Sequence, residues 1–230
     1  MTELAVFDMA GTTIDDRDEV YRVLREATER EGARYSDEVF QQWMGTEKHW
    51  AIENLLRLGG VEVTEEVHER AWQWFRTELA RTYTENPPTP LPGIEDALTT
   101  LRERGIRVGL TTGFSREIAE LIYSTMGWKQ GETFDASSTG DEVPSGRPAP
   151  DMINTVMDTL GVTDRSAVVS VGDTSADVQS ALRAEVTAVG VLTGHLTRAD
   201  FEAEGAHLVL DSVADLPAVL AERTPAAVSE

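Results

Sequence analysis

Cysteine is absent from this 230-residue chain, which excludes a disulfide framework, a thiolate nucleophile and any cysteine-built zinc site. A metal, if one is bound, is left to oxygen and histidine ligands. Long apolar runs are absent too: no stretch reaches the roughly 18 residues of a membrane span, and no basic-then-apolar leader precedes the first apolar segment. The chain is therefore expected to be cytoplasmic, with no membrane partner. Positive charge is scarce. The 20 Lys and Arg face 41 Asp and Glu, a formal net charge of -21, which argues against nucleic acid or an anionic membrane surface, since both need a basic footprint. A small anionic substrate would have to be drawn in by a local cluster of cations or a bound metal. Lysine is scarcest of all, with Lys48 and Lys129 set against 18 arginines. On a solvated surface the two residues substitute freely, so a retained lysine admits a role that arginine cannot fill.

What is present, at 40% hydrophobic, 27% charged and 7% aromatic, describes a globular chain of one large or two small domains. A short apolar strand (Leu4 to Phe7) opens it, and helical spacing follows over Asp18 to Gly32, Asp37 to Trp43, His49 to Leu58 and Glu65 to Tyr83. Four of the five tryptophans (Trp43, Trp50, Trp72, Trp74) fall in this stretch and predict the core of a small helical unit. Trp74 lies off the apolar stripe, where it would suit an interface, and the cluster admits a homodimer. Asn86 to Gly93 carries four prolines, which remove donors and fix the backbone, so it reads as a linker. Beyond it helices and strands alternate: helix Ile94 to Arg104, strand Ile106 to Thr111, helices Arg116 to Met126 and Asp151 to Leu160, strand Ala167 to Val171, helix Ala176 to Ala184, strand Thr187 to Val191. A strand at Leu208 to Leu210, a helix Val213 to Leu220 and a loose tail from Thr224 to Glu230 finish the chain. The alternation predicts an α/β fold, a Rossmann-like parallel sheet core with an inserted α-helical cap domain. Residues 1-15 and 91-230 would form the core, and 16-90 the cap.

Three strand ends then converge. Asp8 follows the first strand, Thr112 the second, and Asp173 with Asp177 the third, and in a parallel sheet these ends face one crevice. Carboxylates meeting there repel one another unless a divalent cation sits between them, and all-oxygen ligation suits Mg²⁺.

In this order the motifs resemble the haloacid dehalogenase-like superfamily, over roughly residues 4 to 222, and within it the phosphonatase (phosphonoacetaldehyde hydrolase) branch and its neighbours. The residues that carry the likeness are Asp8-Met9-Ala10-Gly11-Thr12-Thr13, Met44-Gly45 with Lys48, Thr111-Thr112-Gly113-Phe114, Gly146-Arg147-Pro148-Ala149-Pro150, and Gly172-Asp173-Thr174 with Asp177. The resemblance implies Asp8 as nucleophile and Mg²⁺ held by Asp8, the Ala10 carbonyl and Asp173, with Asp177 behind them. It implies phosphoryl contacts from Gly11, Thr12, Thr112 and Arg147, whose guanidinium fork can hold two oxygens.

Phosphate-ester hydrolases of this superfamily carry a second aspartate at position 10, as acid and base for an alkoxide leaving group; Ala10 cannot transfer a proton. A carbon leaving group needs an electron sink instead, and a lysine condensed with an aldehyde supplies one as a protonated imine. Lys48 is the candidate, because its amine can become neutral while a guanidinium cannot. The resemblance also implies a histidine three residues after that lysine. Here the position is Ala51, and the nearest histidine, His49, projects from another helical face. His68, His195 and His207 have no partners at ligand spacing and read as surface or capping residues. The expected activity is Mg²⁺-dependent cleavage of the carbon-phosphorus bond of phosphonoacetaldehyde or a related 2-oxoethylphosphonate. A phosphate-monoester phosphatase or phosphomutase of the same superfamily, or a receiver-like regulator phosphorylated on Asp8, are the alternatives.

Overall fold

Leu4–Phe7 is too short for a stable helix, and its four residues are fully buried, as a strand covered on both faces requires. The computed structural model, which describes residues 1-223, makes this strand, β1, a central member of a six-stranded sheet. After it come β2 (Ile14–Asp15), α1 (Glu19–Glu29), α2 (Asp37–Gln41), α3 (Lys48–Leu58), α4 (Glu65–Glu85) and β3 (Thr89–Pro90). The remainder alternates: α5 (Ile94–Glu103), β4 (Arg107–Thr112), α6 (Arg116–Met126), β5 (Ala136–Thr139), α7 (Asp151–Leu160), β6 (Val168–Gly172), α8 (Ser175–Arg183), β7 (Thr187–Val191), α9 (Arg198–Glu204), β8 (Leu208–Leu210) and α10 (Leu216–Arg223). The tail expected from Thr224 to Glu230 lies outside the described residues.

The sheet runs β5-β4-β1-β6-β7-β8 with every pairing parallel, so all its strands end on one edge. Side chains alternate across it. Ala5 and Phe7 join one apolar cluster with Ile94, Leu98 and Leu101 of α5, while Leu4 and Val6 join another with Ile153 and Val156 of α7 and Val178 of α8. Helices thus cover both faces, the Rossmann-like arrangement the alternation predicts.

Helices α1 to α4 form the cap, inserted between β2 and β3. These two short strands pair antiparallel, Ile14 with Pro90 and Asp15 with Thr89, so the insertion enters and leaves through one narrow ribbon whose second strand lies in the proline-rich linker. Pro90 sits in a two-stranded ribbon, where its missing donor breaks no central ladder. Side-chain caps start the helices: Ser36 accepts from Val39 N, Thr64 from Val67 N, and Glu47 from both His49 N and Trp50 N. The cap core consists of Val23, Leu24, Ile52, Leu55, Phe75 and Leu79 with their neighbours. The tryptophans do not form it, contrary to the sequence reading: Trp43, Trp72 and Trp74 are half-buried at its rim and Trp50 is 44% exposed. Their bulk and indole N–H suit a partly wet boundary better than a tight interior. Trp74 lies under the Arg30 guanidinium, 4.7 Å from its ring centre.

Four elements escaped the sequence pattern, the short ribbon strands β2 and β3 among them. Strand β5 reads Ala-Ser-Ser-Thr, with no apolar alternation, and is a strand because β4 pairs with it. Helix α9 begins at a Thr197-Asp200 capping box in a mostly polar segment whose one buried residue is Phe201. No helix among the described residues is long and apolar enough to cross a membrane. Because Leu55 is fully buried in the cap core, Leu55→Ala is expected to destabilise the protein by about 2–5 kcal/mol, read as a lower urea midpoint.

Candidate active site

The carboxyl edge of the sheet delivers Asp8 and Asp173 from adjacent strands. Asp8 continues β1, its N–H donating to the Val171 carbonyl at 2.9 Å, and Asp173 follows β6. Between Asp8 and β2 the chain doubles back on itself, with the Met9 carbonyl accepting from the N–H groups of Thr12, Thr13 and Ile14. The turn requires Gly11 twice over: its φ is +82°, and a Cβ there would lie 2.5 Å from an Asp173 carboxylate oxygen. Gly194 stands on the other side of the same carboxylate, where a Cβ would lie 2.2 Å away. Thr12 Oγ1 donates to Asp173 Oδ1 at 2.7 Å. One helical turn into α8, Asp177 closes a capping box with Thr174, whose Oγ1 donates to Asp177 Oδ2 at 2.5 Å.

Asp8, Asp173 and Asp177 are all buried, and each offers an oxygen within 4.8 Å of the other two. Burial, then Asp8 and Asp177, pushes the Asp173 carboxyl well above the usual range. Burial and Asp8 push Asp177 up to about 6 against the pull of Arg147. Three carboxylates facing one guanidinium leave negative charge uncompensated in a dry place. An all-oxygen donor set with that charge suits a divalent cation, so the residues fit a metal of the magnesium kind.

Arg147 is the opposing charge. It is 3% exposed, donates through Nη1 to Asp8 Oδ1 at 2.5 Å, and lies 2.8 Å from Asp177 Oδ1. Its Nη2 donates to Thr111 Oγ1 at 2.7 Å. Burial works against its charge, but Asp177 and Asp8 outweigh it and hold its pKa above the ordinary value. Thr111 was not among the candidates drawn from sequence; its only signal there is its place beside Thr112 at the end of β4. Thr112 Oγ1 accepts from Phe114 N at 3.2 Å.

The cap supplies Lys48, the first residue of α3. It is 4% exposed, and its Nζ donates to the Thr46 carbonyl at 2.6 Å. Burial lowers its pKa to about 8; Asp8 and Glu47 pull the other way, and Arg147 pushes with the burial. Asp8, Ala10, Tyr21, Lys48, Thr112 and Arg147 line a common small cavity of about 10 Å³, room for roughly one water. Four glycines let the cap segment 45-47 lie directly on the core. A Cβ at Gly45 would meet Thr174 Oγ1 at 2.2 Å, one at Gly113 the Thr46 carbonyl oxygen at 2.7 Å, and Cβ atoms at Gly140 and Gly146 the Glu47 side chain at 2.9 and 2.5 Å.

Ala51 is fully buried in the apolar packing and does not line the cavity. His49 is exposed and stacks edge-on against His68, 4.2 Å between ring centres. The other histidines do have hydrogen-bond partners: His68 Nε2 meets the His49 carbonyl, His207 Nδ1 accepts from Ala188 N and His195 Nε2 meets Asp18, each at 2.9 Å. None of them belongs to the carboxylate cluster.

Comparison with known proteins follows the same outline. The family model for haloacid dehalogenase-like hydrolases matches residues 5-191. The phosphonoacetaldehyde hydrolase of Bacillus cereus is 30% identical over 211 residues, covering 84% of this chain and 76% of that protein. That of Parabacteroides distasonis is 36% identical over 155 residues, a match spanning 57% of this chain and 58%, under two thirds, of the relative. Among solved structures, a phosphonoacetaldehyde hydrolase-like protein from Oleispira antarctica superposes with a TM-score of 0.81 at 28% identity, over 96% of this chain and 92% of that one.

Gly113→Ala should press the cap segment off the core while leaving both units folded. Turnover is expected to fall at least tenfold with little change in melting temperature. Affinity for Mg²⁺ or Mn²⁺, titrated calorimetrically, is expected to fall as the pH drops through about 6, because Asp177 takes up a proton there and a proton competes with the metal.

Proposed function

Since the chain belongs to the haloacid dehalogenase-like hydrolases, we propose that it cleaves the carbon-phosphorus bond of phosphonoacetaldehyde or a closely related 2-oxoethylphosphonate. The observation that carries this reading is a buried lysine, its pKa lowered to about 8, sharing one small cavity with Asp8 and Arg147. Position 10 in that cavity is alanine, which offers no proton to an alkoxide leaving group. The names of the Bacillus and Parabacteroides relatives support the same substrate.

In this mechanism the neutral Lys48 amine adds to the aldehyde carbon and water leaves, giving a protonated imine. With a pKa of about 8, roughly a quarter of the amine is neutral at pH 7.5, against about 0.1% for an ordinary lysine. An Asp8 carboxylate oxygen then attacks phosphorus. The phosphorus-carbon bond breaks, its electron pair passes into the imine, and an enamine on Lys48 faces an aspartyl-phosphate on Asp8. Protonation of the enamine carbon and hydrolysis of the resulting imine free acetaldehyde and Lys48, while water releases phosphate from Asp8. Over the cycle one water is consumed.

Arg147 and Thr112 orient the phosphoryl oxygens and balance their charge, and the Gly11 and Thr12 backbone offers further donors at the turn. For the incoming phosphoryl group Arg147 exchanges part of its pairing with Asp8 and Asp177. Asp8, Asp173 and the Ala10 carbonyl, with Asp177 behind them, would hold Mg²⁺, which supplies charge neutralisation for the phosphoryl group. The cap must open for substrate to enter, since the cavity has room for about one water, and closing it again keeps bulk water from the imine and from aspartyl-phosphate.

Phosphonoacetaldehyde should release phosphate in the presence of Mg²⁺, with phosphoglycolate and sugar phosphates turned over far more slowly; the reverse preference would make the protein an ordinary phosphatase. Borohydride added with substrate should leave a covalent adduct on Lys48, and a mass spectrum without it would defeat the imine step. Lys48→Arg is expected to keep the fold and Mg²⁺ binding and to lose at least a thousandfold in turnover. The amine reacts only after losing its proton, so kcat/KM should climb up to about tenfold per pH unit and level off above about pH 8.

A further inference from the structure

Tyr21, on the cap helix α1, stands at the junction of three spaces. It lines the small cavity with Asp8, Lys48 and Arg147, an outer cleft of about 550 Å³ between α2 and α9, and a cleft of about 140 Å³ beside the β2–β3 ribbon. Asp173 lines both clefts. The tyrosine is 9% exposed, yet its hydroxyl makes no hydrogen bond to any described residue. The hydroxyl is not one of the enclosed polar atoms left without a partner, so it opens onto these spaces, where a water or a ligand can accept from it. The ring itself is well held. It packs edge-on against Phe40 and His195, 6.4 and 6.3 Å between centres, and Lys48 Nζ lies 5.9 Å from its centre.

We propose that the Tyr21 hydroxyl is a cap-borne hydrogen-bond donor to the phosphoryl group bound beside Asp8, so that the cap grips the phosphoryl end of the substrate through α1 and the carbonyl end through Lys48 of α3. The inference rests on the reading of the cavity as a phosphoryl-transfer site, not on cleavage of a carbon-phosphorus bond in particular. Burial, then Asp173 and Asp8, pushes the phenol well above its ordinary range. At any working pH it therefore keeps its proton, and against a phosphoryl oxygen it acts as a donor rather than as a charged neighbour. It is no substitute for the histidine absent at position 51, because a phenol so hard to ionise is a poor acid; Tyr21 binds and positions. The same residue forms the wall between the reaction cavity and the outer cleft, which places its hydroxyl to report an occupied phosphoryl site to the cap.

The test uses inorganic phosphate with Mg²⁺ and the full-length protein, and reads binding by calorimetry. Tyr21→Phe keeps the ring and its packing and removes only the donor. It should weaken phosphate binding about tenfold, leave Mg²⁺ affinity and melting temperature unchanged, and raise KM for substrate more than it lowers kcat. Tyr21→His should restore part of the phosphate affinity. Unchanged phosphate affinity in folded Tyr21→Phe would overturn the proposal. If that variant fails to fold, wild-type protein labelled at tyrosine Cζ decides: the Tyr21 resonance should move when phosphate is added over saturating Mg²⁺, and an unmoved resonance overturns the proposal. A wild-type protein that binds phosphate through Tyr21 but leaves phosphonoacetaldehyde intact would defeat the proposed substrate alone.

Discussion

Three carboxylates forced together at the end of a parallel sheet are the constraint on which the site depends. Asp8, Asp173 and Asp177 are buried within 4.8 Å of one another, and the fold answers their repulsion with a buried guanidinium from a distant loop. Arg147 alone cannot balance them, and the charge left over suits a divalent cation.

The cap completes the site by changing the solvent rather than by adding charge. Where segment 45-47 lies on Gly113, Gly140 and Gly146, the Lys48 amine is taken out of water, and loss of hydration is the main reason its pKa falls. An open cap would return the amine to solvent and to its ordinary basicity, so closure and nucleophilicity are coupled. In the proposed mechanism that amine is the group that activates the leaving carbon, and it is ready only when bulk water is excluded. Tyr21 approaches the same cavity from α1, and Tyr83 of α4 ties the hinge end of the cap to buried Asp16 at 2.7 Å.

Much of this was legible in the sequence wherever a local pattern is tied to a physical demand. Leu4 to Phe7 could be nothing but a buried strand, the prolines at 87, 88, 90 and 92 could only interrupt a domain, and Asp8, Thr112 and Asp173 each follow an apolar strand. Strand β5 was not legible, because Ala-Ser-Ser-Thr carries no periodicity and pairs only once β4 is beside it. The four cap tryptophans misled for the opposite reason: hydrophobic mass was visible, but its position at the rim depends on how α1, α3 and α4 pack. Thr111 and Gly194 gave no signal of their own. Their importance is a matter of contact with Arg147 and Asp173, residues 36 and 21 positions away in the chain.

By itself the sequence determined the alternation that makes a parallel sheet, the family motifs at its strand ends, the alanine at position 10 and the rarity of lysine. Each is a property of residue type and spacing, carried by a few neighbouring positions. The tertiary structure decided that Lys48 is buried, that Arg147 faces Asp8 and Asp177, that Ala51 looks into apolar packing, and that the Tyr21 hydroxyl has no hydrogen-bond partner among the described residues. Those outcomes depend on desolvation and on charges brought together from opposite ends of the chain, and both exist only after the cap has closed on the sheet.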